Sequence, residues 1–188
     1  MLLVTACSAP QPDPPPVPAA TAVHTLDLDG NPLDPLAQGD SAATVLLFVS
    51  THCPISNRYA PSLTELAESF APRGVATWLV YPDPQDTPDK IRTHIAEFSL
   101  PTSVVRDPTH ALVTLSEAKV TPQAAVFARG STEPGYVGRI DDRVVEFGKV
   151  RETATRSELR DAIGAVLQGH APKAAAGPPI GCYINDLR

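Results

Sequence analysis

The chain has 188 residues and a net charge of −6, an acidic balance that excludes the basic face a nucleic-acid partner needs. Hydrophobic residues make up 43% and charged ones 19%, which suits one packed domain with extensions. Its three cysteines, Cys7, Cys53 and Cys182, lie far apart with no pair at zinc-ligand spacing, so neither a structural metal nor another cofactor is expected.

Residues 1–22 begin with Val4-Thr5-Ala6-Cys7, which resembles a bacterial lipobox with Cys7 as the site of a lipid anchor. Only six residues precede Cys7, and the alternative is a disordered tail with an incidental cysteine. The Pro/Ala-rich stretch that follows reads as a stiff linker. No apolar run reaches the roughly 18–20 residues that cross a bilayer.

A domain is expected over residues 23–168. Its first strand is 23–28, ended by a turn at Asp29-Gly30-Asn31-Pro32. The continuous apolar run 44–49 predicts a strand buried on both faces. Pro54 suits a first helical turn, because its missing N–H would have no partner there. Tyr59, Leu63, Leu66, Ala67 and Phe70 then recur at helical spacing until Pro72 and Gly74. A strand over 75–81 follows, and then a helix over 87–98 that starts at Thr87-Pro88-Asp89. Next come a strand at 103–106, a short helix at 111–118 and a strand at 124–127. Residues 136–140 and 144–147 read as a hairpin turning at Asp141-Asp142. A helix over 157–167, with Ser157 as N-cap, closes the domain. Residues 169–188 form a proline-broken tail that carries Cys182. The alternation predicts an α/β fold, a central mixed sheet flanked by helices on both faces.

Cys53 stands where the buried run gives way to the helix. The unpaired N–H groups of a first turn favour an anion, and thiols in such places ionise at a pKa of about 3.5–7.5. The thiolate is the nucleophile. His52, alongside, adds to the effect if protonated. The second cysteine of a C-x-x-C pair is absent, since Ser56 holds that position. Cys182, in a tail able to fold back, is the natural second thiol.

These features are similar to the thioredoxin superfamily over residues 23–168. More closely, they resemble a bacterial redoxin (AhpC/TSA-like) subgroup. The matching segments are CPISNRYAP at 53–61, GRIDD at 138–142 and GCYI at 181–184. The resemblance implies a thioredoxin-like fold, Cys53 as the catalytic nucleophile, and Thr121-Pro122 as a cis-proline element lying against it. Cys182 is expected to resolve Cys53 through a reversible disulfide, the alternatives being an incidental tail thiol or one that pairs with another protein. A peroxiredoxin carries a threonine three residues before its cysteine and an arginine that holds peroxide. Here Ser50 takes the first place, and no arginine just precedes the 124–127 strand; Arg58 and Arg139 are the arginines left to approach the thiol.

The leading expectation is a thiol–disulfide oxidoreductase of the bacterial cell envelope. Its partners would be protein thiols or disulfides, with an external reductant such as a thioredoxin-type protein. A peroxiredoxin-like thiol peroxidase, whose partner is a small peroxide, is the first alternative. A copper-binding protein using His52, Cys53 and Cys182 in place of a paired C-x-x-x-C motif is another, and a non-catalytic redoxin binding module is the last.

Overall fold

The computed structural model describes residues 24–37 and 39–185. The lipobox-like segment with Cys7, the proline-rich linker and Val23 lie outside the described residues. Five strands form the central sheet in the order β3-β2-β1-β5-β6. These are β1 (Ala43–Phe48), β2 (Val75–Tyr81), β3 (Val104–Arg106), β5 (Gln123–Ala128) and β6 (Tyr136–Gly138). β1 runs parallel to β2 and antiparallel to β5. All six residues of β1 are buried, as its unbroken apolar run requires of a strand covered on both faces.

Alternate side chains of the sheet go to opposite sides. Val45, Leu47, Leu79 and Val126 pack with Leu63 and Leu66 of α1 (Pro54–Phe70), Ile91 of α2 (Pro88–Phe98) and Ile163 of α4 (Glu158–Leu167). Leu46, Phe48, Val80 and Phe127 pack on the other side with Leu112 of α3 (Ala111–Ser116). Burying each such leucine contributes about 1.5–3 kcal/mol. Helices therefore cover both faces of a mixed sheet. α1 is followed by a 3₁₀ turn, Ala71–Arg73, which ends at Gly74 in a left-handed conformation (φ 77°). Thr87 caps α2 by accepting from the Lys90 N–H.

Two local expectations need correction. Residues 24–32 make only isolated bridges, from Leu26 to Pro32 and to Arg106, because the Asp27 side chain draws the backbone into a turn by accepting from the Asp29 and Asn31 N–H groups. β6 does not pair with 144–147. It pairs with β5, while β7 (Val144–Glu146) pairs with β8 (Lys149–Val150). Ser157 is the N-cap residue of α4, but its side chain makes no capping bond.

Asp141 and Asp142 are accordingly clamps and not turn residues. Asp141 accepts from the Tyr59 hydroxyl of α1 and from Arg143 (2.5 and 3.0 Å), and the Arg143 guanidinium lies 4.6 Å from the Tyr59 ring centroid. Asp142 is 4% exposed. It accepts from the Thr155 hydroxyl and N–H, the Arg156 N–H and Arg151, tying β7 and β8 to the approach to α4. Those bonds, led by the Thr155 hydroxyl, hold its carboxyl down at about 2 against the opposing effect of burial. A carboxylate depressed on folding contributes stability that is complete above its unfolded pKa, near 3.8. That contribution is lost as pH falls toward the folded value. Thermal melts from pH 5 to pH 2 should therefore show a steeper loss for the native chain than for Asp142→Asn. Parallel curves would remove Asp142 from the acid response.

Candidate active site

The sheet register determines where Cys53 sits. Phe48, the last residue of β1, lies opposite Gln123, the first of β5. The chain leaving β1 toward α1 thus emerges beside Pro122. The Thr121–Pro122 peptide is cis, and the Gln123 side chain accepts from the Lys119 and Val120 N–H groups (2.9 and 3.2 Å), shaping the approach to it. Cys53 is the N-cap residue of α1, with Pro54 at the first helical position. Its carbonyl accepts the first helical bond, from the Asn57 N–H at 3.0 Å.

A buried carboxylate holds the loop before Cys53. Asp86, wholly buried, accepts from the Thr51 N–H (3.3 Å) and the Thr51 hydroxyl (2.5 Å). His52 Nδ1 lies 3.3 Å from the same carboxylate. Asn57 continues the network. Its amide nitrogen reaches the Thr51 carbonyl at 3.5 Å, and its oxygen meets His94 Nε2 at 2.9 Å. His94 Nδ1 in turn lies 2.8 Å from the Tyr81 hydroxyl. Burial pushes the His94 pKa down, which fits a neutral ring that accepts on one nitrogen and donates from the other.

Cys182 returns to this place. It opens β9 (Cys182–Tyr183), which pairs antiparallel with β4 (Val120–Thr121), and Cys182 is opposite Thr121. The Ile184 N–H donates to the Lys119 carbonyl at 3.0 Å. Gly181 makes this seating possible. A Cβ there would overlap the Thr121 carbonyl, approaching its carbon to 2.7 Å and Pro122 N to 3.2 Å. The structure thus brings all four expected site residues, Cys53, Thr121, Pro122 and Cys182, into one region. Cys53, Thr121 and Cys182 line a pocket of about 180 Å³ together with His52, His110 and Tyr183.

The two sulfurs differ in surroundings. Cys53 is 1% exposed, whereas Cys182 is half-buried and Tyr183 is 80% exposed. Cys53 is therefore covered and not an open surface thiol. As a thiol it donates to the Thr121 carbonyl at 2.9 Å. Burial alone would push its pKa up. Hydrogen bonds to the sulfur from the Cys182 thiol, from the N–H and hydroxyl of Ser56, and from Thr121 outweigh that and bring it below the ordinary cysteine value. Cys182 moves the opposite way, to about 12, through burial and through the hydrogen bond and negative charge of Cys53. The Ser56 hydroxyl is buried at the place of the missing second cysteine.

Neither expected arginine joins the pocket. Arg139 is paired with Glu158 at 2.5 Å on the far side of Pro122, and Arg58 is exposed and does not line the pocket. The Ser50 hydroxyl bonds to His52, and that of Thr51 to Asp86. Among the described residues no three His, Cys, Asp or Glu side chains converge as a metal site, so His52, Cys53 and Cys182 do not form the copper ligand set envisaged from sequence. Asp86 and Gln123 have no motif that would reveal them. Gly181 was visible only as part of GCYI.

Comparison with known proteins agrees with this architecture. The chain is similar to an uncharacterized conserved protein from Geobacillus kaustophilus, with 27% identity over 85% of both chains and a TM-score of 0.71. It is equally similar to a hypothetical protein of Sinorhizobium meliloti 1021, with 25% identity over 85% of this chain and 87% of the other and a TM-score of 0.71. A secreted Mycobacterium tuberculosis disulfide oxidoreductase shares the fold at 14% identity, covering 77% of this chain and 93% of that one with a TM-score of 0.51. No curated protein matches the sequence. The AhpC/TSA family profile spans residues 17–137, and with its thioredoxin-like sheet the chain belongs to the AhpC/TSA family.

Proposed function

We propose that the protein is a thiol–disulfide oxidoreductase whose working groups are Cys53 and Cys182, with Thr121 and Pro122 as the surface on which the two sulfurs meet. The observation that carries this reading is the seating of Cys182 opposite Thr121, the residue whose carbonyl accepts from the Cys53 thiol at 2.9 Å. A dithiol so placed closes to a disulfide when two electrons and two protons leave, and opens when a partner returns them. The partners are protein thiols or disulfides, with an external dithiol reductant completing a cycle. Cys7 and its lipobox-like context support a place in the cell envelope, where such pairs persist in the oxidised state. The fold shared with a secreted disulfide oxidoreductase is in keeping with that.

The peroxidase reading is weaker. The Cys53 sulfur is only 1% exposed, and among the described residues no arginine lines its pocket. Mild oxidation followed by intact mass measurement and peptide mapping tests the proposal. The expected result is a loss of two mass units and a peptide pair joining Cys53 to Cys182. Two free thiols after oxidation would overturn it, and peroxide-dependent turnover would favour the alternative.

A further inference from the structure

Closing a bridge between Cys53 and Cys182 leaves a proton to be placed. Burial, ahead of the neighbouring Cys53 sulfur, pushes the Cys182 thiol up to about 12. Burial acts whether or not Cys53 carries a charge, so Cys182 meets a mixed disulfide on Cys53 as a thiol. Only a thiolate displaces sulfur from sulfur. A group in the pocket has to take the proton.

Besides the two sulfurs, the pocket is lined by two imidazoles, His52 and His110, and one carboxylate, Asp83. A carboxylate is in general a weaker base than an imidazole, and Asp83 already accepts from the Gln85 N–H at 2.8 Å. His110 Nε2 lies 3.1 Å from the Pro82 carbonyl. His52 is held by a carboxylate instead. Its Nδ1 lies 3.3 Å from Asp86, 3.1 Å from the Thr51 hydroxyl and 3.2 Å from that of Ser50. The wholly buried Asp86 can only accept, which puts the ring hydrogen on Nδ1 and leaves the lone pair on Nε2. When Nε2 takes a proton, the carboxylate behind the ring stabilises the imidazolium more than a carbonyl could. His94, beyond Asn57, is the other titratable group coupled to His52. Burial favours its neutral form, so it does not oppose a positive charge there.

Resting on the reading of Cys53 and Cys182 as a reversible pair, we infer that His52 is the base of the resolving step, with Asp86 holding its ring. A partner disulfide that has reacted with Cys53 leaves a Cys53–partner bond. The Cys182 proton passes to His52 Nε2 as the Cys182 sulfur bonds to Cys53. The Cys53–partner bond breaks, and its electron pair leaves on the partner's sulfur. His52 then gives the proton to that thiolate or to water. Over both displacements the partner disulfide gains two electrons, and Cys53 and Cys182 lose them.

The test isolates the second displacement. The reduced full chain is mixed with dithiobis(nitrobenzoic acid), and each displacement releases one coloured thiolate. The second release comes from within the adduct and does not depend on reagent concentration. Acid-quenched samples mapped by mass should carry the adduct on Cys53. The His52 side chain is half exposed, so His52→Gln should keep its thermal midpoint while the second release slows by about a hundredfold. Across pH the native rate should rise through one ionisation and level off. The rate of the variant should keep rising with hydroxide, as for a thiol with no base beside it. Added imidazole should speed the second release in His52→Gly and leave the native rate unchanged.

A levelling profile retained in His52→Gln, no response to imidazole, or a loss caused by His110→Gln instead overturns the inference while the bridge stands. An early adduct on Cys182 overturns it too, because no Cys182 proton is then at stake. A native chain with no second release and no Cys53–Cys182 bridge on mapping overturns the underlying reading as well.

Discussion

Substitution of Gly181 by valine is expected to lift the tail off the Thr121–Pro122 strand and to expose Cys53. The glycine is needed for room and not for backbone conformation, since its φ lies outside the left-handed region. The atoms in the way belong to the Thr121 carbonyl and Pro122 N, which are backbone and cannot rotate aside as a side chain would. Overpacking of this kind costs about 1–3 kcal/mol. Against it stand the short β4–β9 pairing, the Ile184 N–H bond and the packing of Ala175, Ile180 and Ile184. The tail should yield before the sheet does. Two readouts follow. Alkylation of Cys53 in the reduced protein should accelerate at least tenfold, and the yield of the Cys53–Cys182 bridge on mild oxidation should fall by a similar factor. The thermal midpoint of the central sheet should move little, which separates tail release from general unfolding. Unchanged alkylation would mean that the tail is not what covers Cys53.

Replacement of Cys53 by serine should abolish catalytic exchange with a protein disulfide, by a factor on the order of a thousand or more. The serine hydroxyl can neither leave as a stabilised anion nor attack the sulfur of a mixed disulfide at neutral pH. Steady-state turnover should disappear, because Cys182, whose thiol burial holds well above the ordinary cysteine value, does not replace the lost nucleophile. Turnover within tenfold of the native protein would remove Cys53 from the reaction. A chain that functions only as a binding module would have no such turnover to lose.

Much of the frame was legible in the residues themselves. The run through Leu46, Leu47 and Phe48 could only be a strand covered on both faces, and the period from Tyr59 to Phe70 could only be a helix with one buried stripe. Those elements are long enough for their patterns to repeat. Cys53 could be located because a thiol between such a strand and a proline-started helix has one geometry open to it. Asp141 and Asp142 were misread for the opposite reason. Two adjacent aspartates between short apolar runs have the composition of a turn, and only the positions of Tyr59, Arg143, Thr155 and Arg156 in space reveal them as clamps. β4 and β9 each have two residues, too few for any periodicity, so the pairing that brings Cys182 home left no trace beyond the GCYI segment. Asp86 lay within a polar loop, where a buried carboxylate looks like any solvated one. Burial of the Cys53 sulfur goes with that same pairing, so nothing local to residues 48–61 marks it.

Cys53 opens the first helix and Cys182 lies in the last strand, so nearly the whole sheet separates them along the backbone. In an unfolded chain thiols so distant rarely encounter each other, whereas the native arrangement holds them at a high effective concentration. Thermodynamic reciprocity then binds conformational stability to redox poise: whatever factor folding adds to closure of the bridge, the closed bridge returns as resistance to unfolding. Core residues such as Leu63 and Ile163, which never approach either sulfur, thereby act on the midpoint potential whenever their loss populates the unfolded ensemble.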